Sequence, residues 1–193
     1  MANISPLTRR ELLAAGVSGS LAPVANASAR SSDDAALLSS ALAVELLVVF
    51  AYQRILGLRV LTGRAERASR RLLAQERVHV RTLGAALRRL GQTPPPPPAS
   101  LAQADKQLAE RSASGSLAAV HSEADALRLL YDAESIAVGA YYTALKSLSD
   151  PGLIRTATEI MANDAQHATA LGELLHPGDV KKAVPVSVVR GKR

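Results

Sequence analysis

One pattern occurs twice along the chain, and no other feature limits the fold as much. A Glu inside a helix-forming stretch is followed about thirty residues later by a carboxylate three positions ahead of a His. The first copy is Glu45 with Glu76-Arg77-Val78-His79, and the second is Glu134 with Asp164-Ala165-Gln166-His167. Residues three apart on a helix share a face, so each carboxylate–His pair can aim at one point from one helix. Glu45 is the only charged residue between Ala35 and Gln53, and a carboxylate amid so much apolar surface must be paired when it is buried. Four helices facing one another bring all six side chains together.

The repetition extends beyond these residues. Glu45 to Tyr52 falls on Glu134 to Tyr141 at an offset of 89, with Ala51 and Ala140 ahead of each Tyr. Glu76 to His79 falls on Asp164 to His167 at an offset of 88, and Leu83 and Leu87 then fall on Leu171 and Leu175. A two-helix unit used twice predicts a bundle with a pseudo-twofold axis. The first helix is expected to start at Ser31-Ser32-Asp33-Asp34 and to run to Gly63, and the second to span Ala65–Leu90 and stop at Gly91. Pro94 through Pro98 cannot continue a helix. Residues 91–120 therefore form a long crossover, with a short helix expected over Leu101–Arg111. A helix of about 25 residues is roughly 38 Å long, so a crossover of this length can return the chain to the far end of the bundle and make the second and third helices parallel. Ser122 with Asp125 starts the third helix, which is expected to reach Leu148. Asp150-Pro151 starts the fourth, which ends at His176 before Pro177-Gly178.

With 193 residues, 48% of them hydrophobic but only 3% aromatic, the chain suits one domain with a helix-on-helix core rich in Ala and Leu. Cysteine is absent, which excludes thiolate metal sites, disulfides and thiol catalysis, so any metal must be held by carboxylate and imidazole. The net charge of +6 admits acidic partners. Arg64, Arg67, Arg70, Arg71, Arg77, Arg81, Arg88 and Arg89 recur at spacings of a solvated helix face, without the aromatics of a nucleic-acid stripe, so nucleic acid is not expected as a partner. Residues 1–29 read as a twin-arginine-type signal: Arg9-Arg10 precede a mildly apolar stretch and Ala27-Ser28-Ala29 offers a small-x-small cleavage point. Export to the periplasm, cell envelope or medium follows, with no transmembrane helix after signal removal, because Glu45 is costly in lipid. Residues 30–179 form the bundle and 180–193 a basic tail expected to pack loosely or stay mobile.

Iron and manganese favour oxygen and imidazole ligands, and two adjacent dications need carboxylates between them. Glu45 and Glu134 would cap one ion each, Glu76 and Asp164 would bridge, and His79 and His167 would be terminal ligands. His121, His176, Glu159 and Glu173 read as surface residues.

On this ordered set and its crossover, the chain from Asp33 to His176 resembles the ferritin-like superfamily of di-iron and di-manganese carboxylate proteins, and small exported members in particular. The resemblance implies an all-α, antiparallel four-helix bundle holding two iron or manganese ions. It implies redox chemistry with oxygen or peroxide, or ferrous-ion oxidation. Tyr52, Tyr141 and Tyr131 become candidates for hydrogen-bonding the metal carboxylates, and a homo-oligomer is compatible with it. Asp164 departs from the usual Glu by one methylene, which leaves open whether it bridges two ions or serves one. The alternative is a non-catalytic envelope or stress-related binding module with a structural or vestigial metal site.

Overall fold

The computed structural model describes residues 23–184, with side chains from Ser31 onward. The paired arginines and the basic end of the tail lie outside the described residues. Among the described residues six α-helices follow in order: α1 (Pro23–Leu58), α2 (Gly63–Arg89), α3 (Leu101–Glu110), α4 (Glu123–Ala144), α5 (Pro151–Leu175) and α6 (Val180–Ala183). Helices α1, α2, α4 and α5 form an antiparallel four-helix bundle. In it α1 packs on α2 and α4, α4 packs on α5, and the α2–α5 seam is the loosest of the four. The eight arginines of α2 are all exposed, as a solvated face requires.

Helix ends obey local chemistry. Gly91, at φ 73°, lets Gln92 N–H reach the Leu87 carbonyl and Gly91 N–H reach that of Arg88, a closed C-terminal turn that only a residue tolerant of left-handed backbone favours. The Ser122 hydroxyl accepts from Asp125 N–H while the Asp125 carboxylate accepts from Ser122 N–H, which closes a capping box on α4. Asp150 caps α5 through Leu153 N–H at 2.8 Å, with Pro151 in the first turn.

Three expected boundaries move. α1 begins at Pro23, so the Ala27–Ala29 cleavage candidate and Ser31–Asp34 lie inside a continuous helix. Asp34 does not start it. Its carboxylate is buried and accepts Ser149 N–H, Ser149 Oγ–H and Asp150 N–H at 2.8–3.0 Å, holding the α4–α5 turn. At the other end α1 stops at Leu58, because Arg59 takes φ 59° and Thr62 caps α2 in extended backbone; Gly63 opens α2 and does not close α1. The third helix likewise ends at Ala144 and passes through turns to Leu148.

The crossover is pinned by polar contacts to two aspartates. Asp105 accepts from Leu117 N–H and Ala118 N–H, and Asp132 on α4 accepts from the Ser114 amide and hydroxyl. Ala104, Leu108 and Leu117 bury completely in the same apolar cluster as the C-terminal half of α1. The tail does not begin loosely: α6 docks on α5, with Ala183 buried so close to Gly172 that a Cβ there would meet the Ala183 carbonyl oxygen at 2.7 Å.

Asp34 supplies a charged acceptor to three donors on exposed Ser149 and Asp150, which water partly satisfies in its absence, and one bond to a charged group is worth about 1.5–3 kcal/mol. Asp34→Ala should therefore cost about 2–4 kcal/mol of stability, and a chemical denaturation midpoint unchanged from wild type would refute the clamp.

Candidate metal centre

Two apolar clusters fill the bundle. One gathers Tyr52, Ile55, Leu72, Leu73, Leu130 and Leu171, and the other Leu38, Leu42, Leu83, Leu87, Tyr141 and Ile160. On every helix the chemistry-bearing residues fall between the two. Glu45, Glu76, Glu134 and Asp164 are fully buried there, His167 is 2% exposed, and His79, on the loose α2–α5 seam, keeps 7%.

The six side chains form two overlapping groups of donor atoms, each group within 4.8 Å: Glu45, Glu76, His79 and Asp164, then Glu76, Glu134, Asp164 and His167. Glu76 and Asp164 belong to both. His79 Nδ1 stands 3.3 Å from Asp164, 3.4 Å from Glu76 and 3.6 Å from Glu45. His167 Nδ1 stands 2.7 Å from Glu76 and 3.4 Å from Glu134. The two rings lie nearly parallel, their centroids 5.9 Å apart.

Each outer atom is occupied, and the inner ones are left facing one another. Tyr52 donates to Glu134 Oε1 and Tyr141 to Glu45 Oε1, both at 2.6 Å. Each tyrosine thus serves the glutamate of the other half rather than the one on its own helix, where helical spacing alone would put it. His79 Nε2 pairs with Asn163 Oδ1 at 3.0 Å, and His167 Nε2 with Gln75 Oε1 at 2.6 Å. An amide oxygen only accepts, so both rings carry hydrogen on Nε2 and, when neutral, present the Nδ1 lone pair inward. The inward Nδ1 of both rings, the remaining oxygens of Glu45 and Glu134, and all four oxygens of Glu76 and Asp164 have no hydrogen-bond partner outside the cluster itself. Buried polar atoms are rarely left so. Here they converge on one small space, and their number and type suit divalent cations.

Tyr131 is not part of this arrangement: it is half-buried and packs against the apolar cluster around Leu130. His121, His176 and Glu159 are exposed, and Glu173 accepts from Gly178 N–H. Gln75 and Asn163 join the site although the spacing of acids and imidazoles does not single them out. The signal existed in the chain, since each amide directly precedes the motif carboxylate and the two repeat at the offset of 88.

Crowding shifts the proton affinities. Burial, reinforced by the neighbouring Glu134 and Glu45 charges, holds Glu76 well above the usual carboxylate range. Burial and the Glu45 charge push Asp164 up to about 8. Burial also raises Glu134. It acts the same way on Glu45, but His79, Glu76 and Tyr141 together outweigh it and hold that group low. Burial lowers both imidazoles, yet the surrounding carboxylates prevail and carry His79 to about 12 and His167 to about 10. Both phenols rise, by burial and then by the adjacent carboxylate, and so remain donors.

A pKa raised on folding contributes stability that is full below the unfolded value and is lost as pH climbs to the folded one. Asp164 loses its contribution between 3.8 and about 8, and the imidazoles lose theirs from 6.5 upward. Glu45, with a lowered value, acts in the opposite sense only below 4.5. The metal-free protein should therefore melt at a lower temperature at about pH 9 than at about pH 5.5, and excess divalent metal should reverse that order by replacing the protons. Melting curves in chelator that rose with pH would contradict the protonated cluster.

With this geometry in view, the profile of the ferritin-like domain family matches residues 33–177, and the chain belongs to that family. Among solved structures it is similar to a conserved hypothetical protein, rv2844, from Mycobacterium tuberculosis. The identity is 22% and the TM-score 0.62, over 75% of this chain and 98% of that one, a likeness of fold alone. No curated protein matches the chain.

Proposed function

We propose that the cluster holds two divalent iron or manganese ions and that the protein uses them for redox chemistry with oxygen or peroxide, or to oxidise ferrous ion. The observation that carries this reading is the convergence of eight unpartnered buried donor atoms from four helices. When bound, such a pair of ions supplies two electrons' worth of redox capacity at one place. The chain's own residues do the rest. Four carboxylates balance the charge of two dications, so the site is neutral in a dry interior. Tyr52 and Tyr141 fix the orientation of Glu134 and Glu45, leaving one oxygen of each pointing inward. The amides of Gln75 and Asn163 hold the imidazoles in the tautomer a metal requires. The apolar clusters flank the site along the bundle axis, and His79, on the α2–α5 seam, is the most exposed of the six side chains.

Export through the twin-arginine route suits this reading, because a protein that crosses the membrane folded can acquire its metal in the cytoplasm, where the correct ion is selected first.

Elemental analysis of protein purified without chelator should find about two transition-metal ions per chain. Glu76→Gln should lose both ions while keeping the helical circular-dichroism spectrum. Wild-type protein that binds no iron or manganese on reconstitution would leave a bundle whose basic surface, and not its interior, does the binding. A milder change tests the tyrosines: Tyr141→Phe should weaken metal binding roughly ten-fold, as loss of an orienting partner typically does, and an unaltered affinity would remove Tyr141 from that role.

A further inference from the structure

Positive charge is concentrated on one helix. α2 holds eight arginines, no lysine and two acids, a surplus equal to the formal net charge of the whole chain, +6. All eight arginines are exposed. Of the acids, Glu76 is buried in the metal centre and Glu66 is bonded to Arg70. Among the described residues the other seven arginines pair with no carboxylate. Arg67 with Arg71, and Arg77 with Arg81, stand four residues apart, where like charges repel and weaken a helix. Neighbours on such a face are about 5–6 Å apart at Cβ, inside the Debye length of about 8 Å at physiological ionic strength, so the cations act as one field.

The face is amphipathic as well as basic. Arg67, Ala74, Val78 and Ala85 follow at steps of seven, four and seven, one line down the outside of the helix, with arginines on both sides of it. Val78 is 47% exposed, one of three large hydrophobic side chains so exposed among the described residues. No aromatic residue lies on α2.

We infer that the outer face of α2 docks on an anionic phospholipid surface, with the helix axis in the membrane plane. Guanidinium groups pair with phosphates through two N–H donors at once, and headgroup charge relieves the repulsion among them. Val78, with Ala74 and Ala85 in line, meets the boundary between headgroups and acyl chains, as the apolar line of a surface-lying helix does. Toward the end of the face Arg81, Thr82 and Arg89 line a cleft of about 550 Å³ between α2 and α5, with room for one headgroup phosphate. Asp150 also borders the cleft, but its carboxylate is engaged by Leu153 N–H. Nucleic acid, the other polyphosphate, suits the face less well, because its midline is apolar and offers no aromatic ring to stack on a base. This docking needs no metal in the cluster.

Full-length protein is mixed with vesicles of phosphatidylglycerol and phosphatidylcholine in equal parts, and with phosphatidylcholine alone, at about 0.1 M salt. Sedimentation should show binding to the first and not to the second, and release at about 1 M salt, where charges are screened beyond about 3 Å. Each cation close to such a surface multiplies binding about five-fold. Arg67→Gln, Arg71→Gln, Arg81→Gln and Arg89→Gln combined should therefore weaken binding at least about a hundred-fold at native helical content. Arg9→Gln, Arg10→Gln, Arg190→Gln and Lys192→Gln combined remove the same charge from the chain ends and should cost less than about ten-fold. The chain has no Trp, so Val78→Trp carries a single reporter whose emission should move to shorter wavelength on the anionic vesicles. Thr143→Trp, exposed on the diagonal helix α4, should not respond. Equal losses in the two combined variants, an unmoved Val78→Trp signal, or tighter binding to a random-sequence DNA duplex than to vesicles at equal phosphate concentration would each overturn the inference.

Discussion

Four carboxylates buried in an interior of Leu, Ala and Val are the constraint around which this bundle is arranged. Each would lose many kcal/mol of hydration if taken out of water alone, and nothing among the aliphatic side chains at either end can offset that. Compensation comes from within the group. Two phenols take up the outer oxygens of Glu134 and Glu45, protons bound by the raised carboxyls reduce the charge, and the inner oxygens and imidazole nitrogens face one another. The apolar clusters above and below make this compensation stronger, because hydrogen bonds and charges interact more strongly where water is excluded.

The same bonds join the halves of the molecule. Tyr52 on α1 reaches Glu134 on α4, and Tyr141 on α4 returns to Glu45 on α1. Asn163 on α5 holds His79 on α2, and Gln75 on α2 holds His167 on α5. The reciprocal amide pairs span the seam where the two helix backbones approach each other least. Farther out, single aspartates do comparable work on loops. Asp34, Asp105 and Asp132 each accept backbone N–H groups that a turn or crossover would otherwise leave unsatisfied, so the connections are held as firmly as the helices that carry the site.

Much of this could be read from the chain. The capping box at Ser122, Asp150 ahead of Pro151 and the stop at Gly91 are local events, decided within four or five residues, and they occur where the sequence puts them. The six acids and imidazoles do meet in one place, because an isolated Glu in an apolar stretch and a carboxylate three residues before a His leave few other arrangements. Other features were not legible. Ser31–Asp34 has the composition of a helix start, but Asp34 finds three donors on a loop more than a hundred residues away and the helix continues through it. Tyr131 shares a face with Glu134 at helical spacing, yet its ring packs into the apolar cluster while Tyr52 of another helix takes the glutamate.

Periodicity within one helix is a property of the backbone, with its fixed rise and turn, and so the chain alone dictated which residues line the inner face and that the two halves would mirror each other. Distance between helices is not encoded in any single stretch. It results from how Ala, Leu and Tyr pack across every seam at once, and it decided that each tyrosine would cross to the opposite glutamate. It also decided that Glu76 and Asp164, from facing helices, would stand in both groups of ligand atoms at once.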